Sequence, residues 1–230
     1  MAEFFTRFKM ISHEHKFIFS HIPKCGGTSI EEALFPYADE SSGEKWAVDN
    51  KCWRNKMLFD LIQKHTHYHV FTFMRRPVDR FLSTYNHLIN NKHHDYCLDK
   101  FIHDVNMFLS KQPEVTYKQL KNNETRTLDL WIPEEWYKLP EHDLIGYHVL
   151  PQIYFITPKM KVYDFVNIKK EFLNFCTQFK IPITDLPRVN GHEKFTTQSK
   201  VIYKHDLSSS QIEKIRNIYT NDLRHYNNIT

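Results

Sequence analysis

Glycine, cysteine and long apolar runs are all scarce in this 230-residue sequence. Its 5 glycines stand against 18 phenylalanines and 12 tyrosines, which excludes a collagen-like chain and a linker-rich organisation. No apolar run approaches the roughly 20 residues of a membrane-spanning helix, so none is predicted. We find no internal repeat and no low-complexity stretch, and the length favours a single domain over residues 1–230.

The 4 cysteines are widely spread and include no C-x-x-C pair; they are Cys25, Cys52, Cys97 and Cys176. Because the sequence also shows no secretory signal, we expect reduced thiols and no disulfide framework. With neither a signal peptide nor a membrane anchor in view, the expected location is the cytoplasm.

The charge of the chain is only mildly basic, +4 at pH 7 with a pI of about 8.7. This balance suits an anionic ligand, but the lysines and arginines are not clustered as in a nucleic-acid-binding surface. The 15 histidines include no set with a cysteine or carboxylate at zinc-motif spacing, so no metal site is predicted.

Buried strands alternate with helices along the chain. A Phe- and Ile-rich strand is predicted over residues 16–22, followed by a helix from residue 30 that Pro36 ends. A second strand is predicted over residues 69–74, and Pro77 begins a helix that continues to about residue 90. Further predicted elements are helices over 56–64, 96–109, 169–180 and 208–226 and a strand over 161–166. This alternation predicts an α/β fold with three layers, α/β/α, around a central parallel sheet.

The loop between the first strand and its helix contains Pro23, Lys24, Cys25, Gly26, Gly27, Thr28 and Ser29. Paired glycines let the backbone wrap around an anion, with amide N–H groups and a helix N-terminus directed at it. Lys24 adds a positive charge, and Thr28 and Ser29 add hydroxyl donors. A kinase-type P-loop is excluded because its lysine follows the last glycine, whereas Lys24 precedes both glycines.

The second strand is followed by Arg75, where a magnesium-dependent nucleotide enzyme usually has an aspartate. If the two strands are parallel neighbours, Lys24 and Arg75 leave the sheet at its carboxyl edge, where α/β proteins bind ligands. Arg75 can bind a phosphate through two hydrogen bonds, and Ser83 can add a hydroxyl from the helix. Arg80 is predicted on the same polar helix face as Ser83, where pairing with Asp79 fits it at least as well as a ligand contact. Two such loops indicate a ligand with two separated anionic groups.

Together the two loops resemble the 5′-phosphosulfate loop and the 3′-phosphate motif of sulfotransferases. The family pattern Lys/Arg-x-Gly-x-Thr-Ser matches residues 24–29, and Arg-x-Pro-x-x-Arg-x-x-Ser-x-Tyr matches residues 75–85. Residues 148–152, 186–190 and 218–223 are similar to three further segments of carbohydrate sulfotransferases. The resemblance implies the P-loop NTPase-like sulfotransferase fold and transfer of a sulfuryl group from 3′-phosphoadenylyl sulfate (PAPS) to a hydroxyl, on a carbohydrate or glycan.

By this resemblance, Lys24 would offset the negative charge that grows on the leaving oxygen, and no metal would be required. The residues implied in binding PAPS are Lys24, Cys25, Gly26, Gly27, Thr28, Ser29, Arg75 and Ser83. The first six would hold the phosphosulfate and the last two the 3′-phosphate.

The general base of such a reaction stays open among three candidates. Glu44 follows the first loop at nearly the spacing found in relatives that use a glutamate, and His65 and His67 immediately precede the second strand. Each of the three also fits a plain surface position. Glu31 and Glu32 are expected on the solvent face of the first helix.

His148 and Gln152 are candidates for contact with the acceptor, with an ordering role for their segment as the alternative. Trp131 and Trp136 fit either a sugar-stacking surface or a core. Two other functions stay open for the whole chain: a catalytically inactive nucleotide-binding protein of the same fold, and a small-molecule kinase. Only the kinase would require magnesium to bind its nucleotide.

Overall fold

A computed structural model describes residues 11–39, 61–90, 96–111, 142–189 and 201–229. The chain forms two compact units. The first comprises Met1–Met74, Tyr117–Thr127 and Phe155–Asn190, and the second comprises Arg75–Thr116, Leu128–Tyr154 and Gly191–Thr230. Within the described residues, no helix is both long and apolar enough to cross a membrane.

The described part of the first unit contains a sheet with the strand order β1-β2-β3-β4. Its strands are β1 Ile11–Ser12, β2 Phe17–Phe19, β3 His69–Met74 and β4 Lys161–Asp164. The last three are parallel, with Phe19 opposite Phe71 and Phe73 opposite Tyr163. β1 is antiparallel to β2 because the four residues between them are too few for a crossover connection. The prediction of an α/β fold with a central parallel sheet is therefore confirmed as a mostly parallel sheet flanked by helices, to which β1 adds an antiparallel edge strand.

The described helices, in chain order, are α1 Gly27–Leu34, α2 Pro77–Tyr85, α3 Leu98–Lys111, α4 His142–Val149, α5 Ile168–Gln178, α6 Ser209–Ile218 and α7 Thr220–Asn227. The predicted bounds of β3 are confirmed, and Pro77 is the first residue of α2 as predicted. A π-helical turn, Asn86–Asn90, continues α2 to the predicted end. The closing helix predicted over 208–226 is instead two helices that meet at Tyr219.

The core of the first unit joins the sheet to α1 and α5. Ile30 and Leu34, one turn apart on α1, are buried with Phe172, Phe175 and Cys176 of α5. The strands contribute Phe17, Phe19, Phe71 and Phe73. This spacing of apolar residues at three and four positions explains why both segments are helical and which face they bury. It also fixes the beginning of α1 just beyond the carboxyl end of β2.

The core of the second unit includes aromatic rings on α2, on α3 and at the junction of α6 with α7. The ring of Phe81 lies 5.2 Å from that of Phe101 and 6.3 Å from that of Tyr219, centroid to centroid. The buried hydroxyl of Tyr219 donates to the carbonyl of Val149 at 2.7 Å. The break between α6 and α7 therefore coincides with a contact that ties this junction to the end of α4.

Candidate functional site

The glycine loop, residues 23–29, connects β2 to α1 in the first unit. The backbone of Lys24 has φ 65 and that of Gly26 has φ 79, so two of its residues adopt the left-handed conformation. Gly26 precedes α1, and among the described residues no side chain caps the helix there. A non-glycine residue with positive φ is strained, and such strain is concentrated at functional sites. The loop therefore carries a local strain at the one lysine that the sequence singles out.

Glycine is required at position 26 for a second reason besides its φ. A Cβ there would collide with Cδ1 of Ile168 and come within 3.0 Å of Cε2 of Phe165. Both residues follow β4, whose last residue, Asp164, accepts a hydrogen bond from the amide of Val166. The glycine loop thus packs directly on the turn that leaves β4.

The polar groups of the glycine loop are partly used by the fold. The amide of Cys25 donates to the carbonyl of Ile22, and the Cys25 side chain is buried, so this residue shapes the turn. The hydroxyl of Ser29 accepts a hydrogen bond from the amide of Val189 at 3.3 Å. Gly27 and Thr28 are the first residues of α1, where N–H groups have no acceptor within the helix. These amides and the partly exposed Lys24 are the groups suited to hold an anion.

In the second unit, Arg75 is held through its backbone by the side chain of Gln152. The amide of Arg75 donates to Oε1 of Gln152 at 3.0 Å, and Nε2 of Gln152 donates to the carbonyl of Arg75 at 2.9 Å. The side chains of Arg75 and Ser83 are both partly exposed, as expected of ligand-binding groups. Gln152 therefore fixes the point at which Arg75 leaves the strand.

Gln152 is in turn held by Asp222 of α7. Its amide donates to Oδ2 of Asp222 at 2.8 Å, and the amide of Ile153 donates to Oδ1 at 3.1 Å. Both Gln152 and Asp222 are 0% exposed, so Gln152 offers no surface to an acceptor. Of the two roles left open for Gln152, its burial therefore supports the ordering role, which it performs through Arg75, over contact with the acceptor. The side chain of His148 is partly exposed, and its acceptor role stays a prediction.

Arg80 is buried, contrary to the expectation that it lies on a polar helix face. Its Nη1 donates to the carbonyl of Leu150 and its Nη2 to that of His148, both at 2.9 Å. Burial raises the pKa of the Asp222 carboxyl, and the nearby Arg80 charge offsets part of that rise. Helical periodicity did not predict this burial, because it shows which residues of α2 share a face but not that α4 packs on the face that carries Arg80.

His65 and His67 lie at the amino end of β3, whereas the glycine loop follows the carboxyl end of its parallel neighbour β2. The ring of His65 lies 4.7 Å from that of Tyr68 and 5.1 Å from that of His13, in the turn between β1 and β2. Burial and the nearby His13 lower the pKa of His65. Because β3 is about 20 Å long, the structure does not bring these histidines together with the glycine loop.

The structure brings a different histidine to the glycine loop. His21 follows β2, and its Nδ1 lies 2.8 Å from Oε1 of Glu31 on α1. Glu31 is buried, which corrects its expected place on the solvent face, whereas Glu32 is exposed as expected. The only sequence signal for this pair was a histidine placed just before the loop. Glu44 lies outside the described residues, as do Trp131 and Trp136.

Fold and loop together are those of an α/β protein in which groups suited to an anion follow the carboxyl end of a parallel strand. The chain belongs to the sulfotransferase family, because a model described as "Sulfotransferase family" matches residues 8–227, nearly the whole chain. No curated protein and no solved structure gave a match. The resemblance read from the two loops is thus confirmed at the level of the family, whose general activity is sulfuryl transfer.

Proposed function

We propose that this sulfotransferase uses PAPS as its donor and transfers the sulfuryl group to a hydroxyl of a carbohydrate or glycan. The observation that carries the proposal is the glycine loop: a strained Lys24 and the uncapped first turn of α1, directly after a buried parallel strand. This loop meets the phosphosulfate group with a full positive charge and backbone donors. The family match supports sulfuryl transfer, and the donor and acceptor are inferences from the residues.

In the first unit, Lys24 and the amides of Gly27 and Thr28 would bind the 5′-phosphosulfate, and the hydroxyls of Thr28 and Ser29 would add donors. PAPS supplies a sulfuryl group on a phosphate leaving group, so negative charge grows on the bridging oxygen as the acceptor oxygen attacks sulfur. Lys24 would stabilise that charge, and preorganised donors of this kind contribute several kcal/mol to a transition state, about 3–4 in the best case.

In the second unit, Arg75 and Ser83 would bind the 3′-phosphate, the group that distinguishes PAPS from ATP. The two hydrogen bonds between Gln152 and the backbone of Arg75 fix that backbone and so reduce the entropy lost when the guanidinium binds a phosphate. Asp222, which holds Gln152 and is itself fully buried, makes this support rigid. Arg75, which would contact the 3′-phosphate, is therefore preorganised by two buried side chains, Gln152 and Asp222.

The donor proposal is tested by calorimetric titration of 3′-phosphoadenosine 5′-phosphate, the product nucleotide, in the presence of EDTA. Wild-type protein should bind it without metal and more tightly than ADP, which lacks the 3′-phosphate. Arg75→Ala should weaken binding about 10- to 100-fold, the worth of hydrogen bonds between charged groups, while ADP binding changes little. Arg76→Ala is the matched control, because this neighbouring arginine is exposed. Binding that requires magnesium and prefers ATP would instead support a kinase.

The acceptor and the base require a separate measurement, transfer of labelled sulfate from PAPS to a panel of glycans, lipids and phenols. We propose a glycan acceptor, on the resemblance of residues 148–152 to carbohydrate sulfotransferases, with His148 as a contact. Glu44 stays a proposed base. Binding of the product nucleotide with no turnover on any acceptor would favour a catalytically inactive protein.

Substitution of the two histidines at the amino end of β3 is expected to have no effect on sulfuryl transfer. The double variant His65→Gln/His67→Gln should retain transfer within about twofold of wild type, because groups remote from the reacting atoms make no transition-state contact. Loss of a general base would lower turnover about 10²–10⁴-fold. A decrease of that size in kcat would show that one of these two histidines is the general base after all.

A further inference from the structure

His21 and Glu31 form a pair of ionisable side chains at the back of the glycine loop. Nδ1 of His21 donates to Oε1 of Glu31 at 2.8 Å, and the two side chains are 17% and 9% exposed. His21 leaves the carboxyl end of β2, and Glu31 lies one turn into α1. This hydrogen bond therefore joins a residue that precedes the glycine loop to the helix that follows it, and so links the two ends of the loop.

The imidazole of His21 lies directly against the first residue of α1. A Cβ on Gly27 would come within 2.5 Å of Nε2 and 2.6 Å of Cγ of His21, so only glycine fits there. Gly27 is one residue whose amide the donor would use. The ring thus packs against the first turn of α1 where a Cβ of Gly27 would lie, and its hydrogen bond to Glu31 holds it there.

An apolar pair would fill this space at lower cost, because burying a carboxylate is unfavourable unless it is paired. The hydrogen-bonded pair instead restricts the orientation of the ring, which an apolar contact does not do. A fixed ring in turn fixes the path of residues 26–28. The observations therefore favour a role in loop geometry over a role in packing alone.

We propose that His21, held by Glu31, is a positioning residue that fixes the amides of Gly27 and Thr28 in the geometry that binds the 5′-phosphosulfate group. The inference rests on the donor site proposed above. His21 and Glu31 would affect binding of the 5′-phosphosulfate group of the donor and not of its 3′-phosphate. Loss of the pair should therefore weaken the contact with the 5′-group and leave the contact with the 3′-phosphate unchanged.

The experiment compares two nucleotides in calorimetric titrations of the full chain. 3′-Phosphoadenosine 5′-phosphate carries both anionic groups, and adenosine 3′-phosphate lacks the one at the 5′ position. Glu31→Ala should weaken binding of the bisphosphate about 10-fold, the effect of losing a charge-assisted hydrogen bond, with adenosine 3′-phosphate unaffected. Glu31→Gln, whose amide oxygen can accept the same bond, should recover most of that loss.

Glu32→Ala is the matched control, since Glu32 is the adjacent, exposed residue on the same helix. His21→Asn is the second variant; it keeps a donor for Glu31 but removes the part of the ring against Gly27, and it should reproduce the selective loss. Parallel losses for both nucleotides, or wild-type affinity in both variants, would overturn the inference alone. Failure of the wild-type protein to bind the bisphosphate would overturn the proposed donor, and this inference with it.

Discussion

Lys24→Met is expected to lower kcat/KM for transfer from PAPS about 10²–10³-fold, the usual effect of removing one preorganised donor from a developing charge. Methionine keeps an unbranched side chain of nearly the same length and removes the ammonium group, with its charge and its hydrogen-bond donors. Binding of 3′-phosphoadenosine 5′-phosphate should weaken as well, because the product retains the 5′-phosphate. The transfer assay uses the acceptor with the highest turnover in the panel, and calorimetry gives the affinity without any acceptor.

The control for this variant is Lys180→Met. Lys180 is an exposed lysine whose backbone is also left-handed, with φ 55, so the substitution repeats both the charge change and the conformational demand. It should leave transfer and binding as in wild type. Equal losses in the two variants would show that the backbone conformation, and not the ammonium group, produced the effect at Lys24.

The second large effect is on stability. Arg80→Met is expected to lower the free energy of unfolding by about 3–5 kcal/mol, because removing one partner leaves a buried charge uncompensated. The substitution also leaves the carbonyls of His148 and Leu150 without the guanidinium that they accept from. Urea denaturation of both proteins at pH 8 measures the difference. Arg216→Met on the exposed side of α6 is the control, with an expected change within about 0.5 kcal/mol.

The destabilisation of Arg80→Met should also depend on pH. The pKa of Asp222 is raised in the native protein, so the native state holds a proton that the unfolded state has lost. The penalty of the ionised carboxylate therefore appears as pH rises through the folded pKa, and it is absent below the ordinary value of 3.8. Without Arg80 this penalty grows. The deficit of the variant should be smaller at pH 4.5 than at pH 8, and equal deficits would mean that Arg80 acts through its hydrogen bonds and packing and not through the charge of Asp222.

Local sequence was sufficient to predict the elements on either side of Arg75. β3 was predicted at its observed bounds, since a continuous apolar run that ends at an arginine and a proline admits few alternatives. The beginning of α2 followed from Pro77, whose fixed φ suits a first helical residue. The antiparallel β1 was missed because a two-residue strand carries no periodicity to recognise.

The site was only partly predictable for a related reason. Gly26 could be recognised because φ and side-chain size are properties of one position. The pairing of Gln152 with Asp222 joins residues 70 positions apart, and that of Arg80 with Leu150 joins residues 70 positions apart as well. Such partners depend on which helix faces are packed together, so no local pattern contains them.

The sequence by itself determined the class of fold, the family and the two loops, because strands, helices and glycine turns depend on residues that are close together in the chain. Only the tertiary structure decided that His65 and His67 lie at the wrong end of β3 and that His21 stands at the loop, paired with Glu31. It also showed that Gln152 supports Arg75 from within the protein. These are relations between distant segments, and burial in a shared core fixes them.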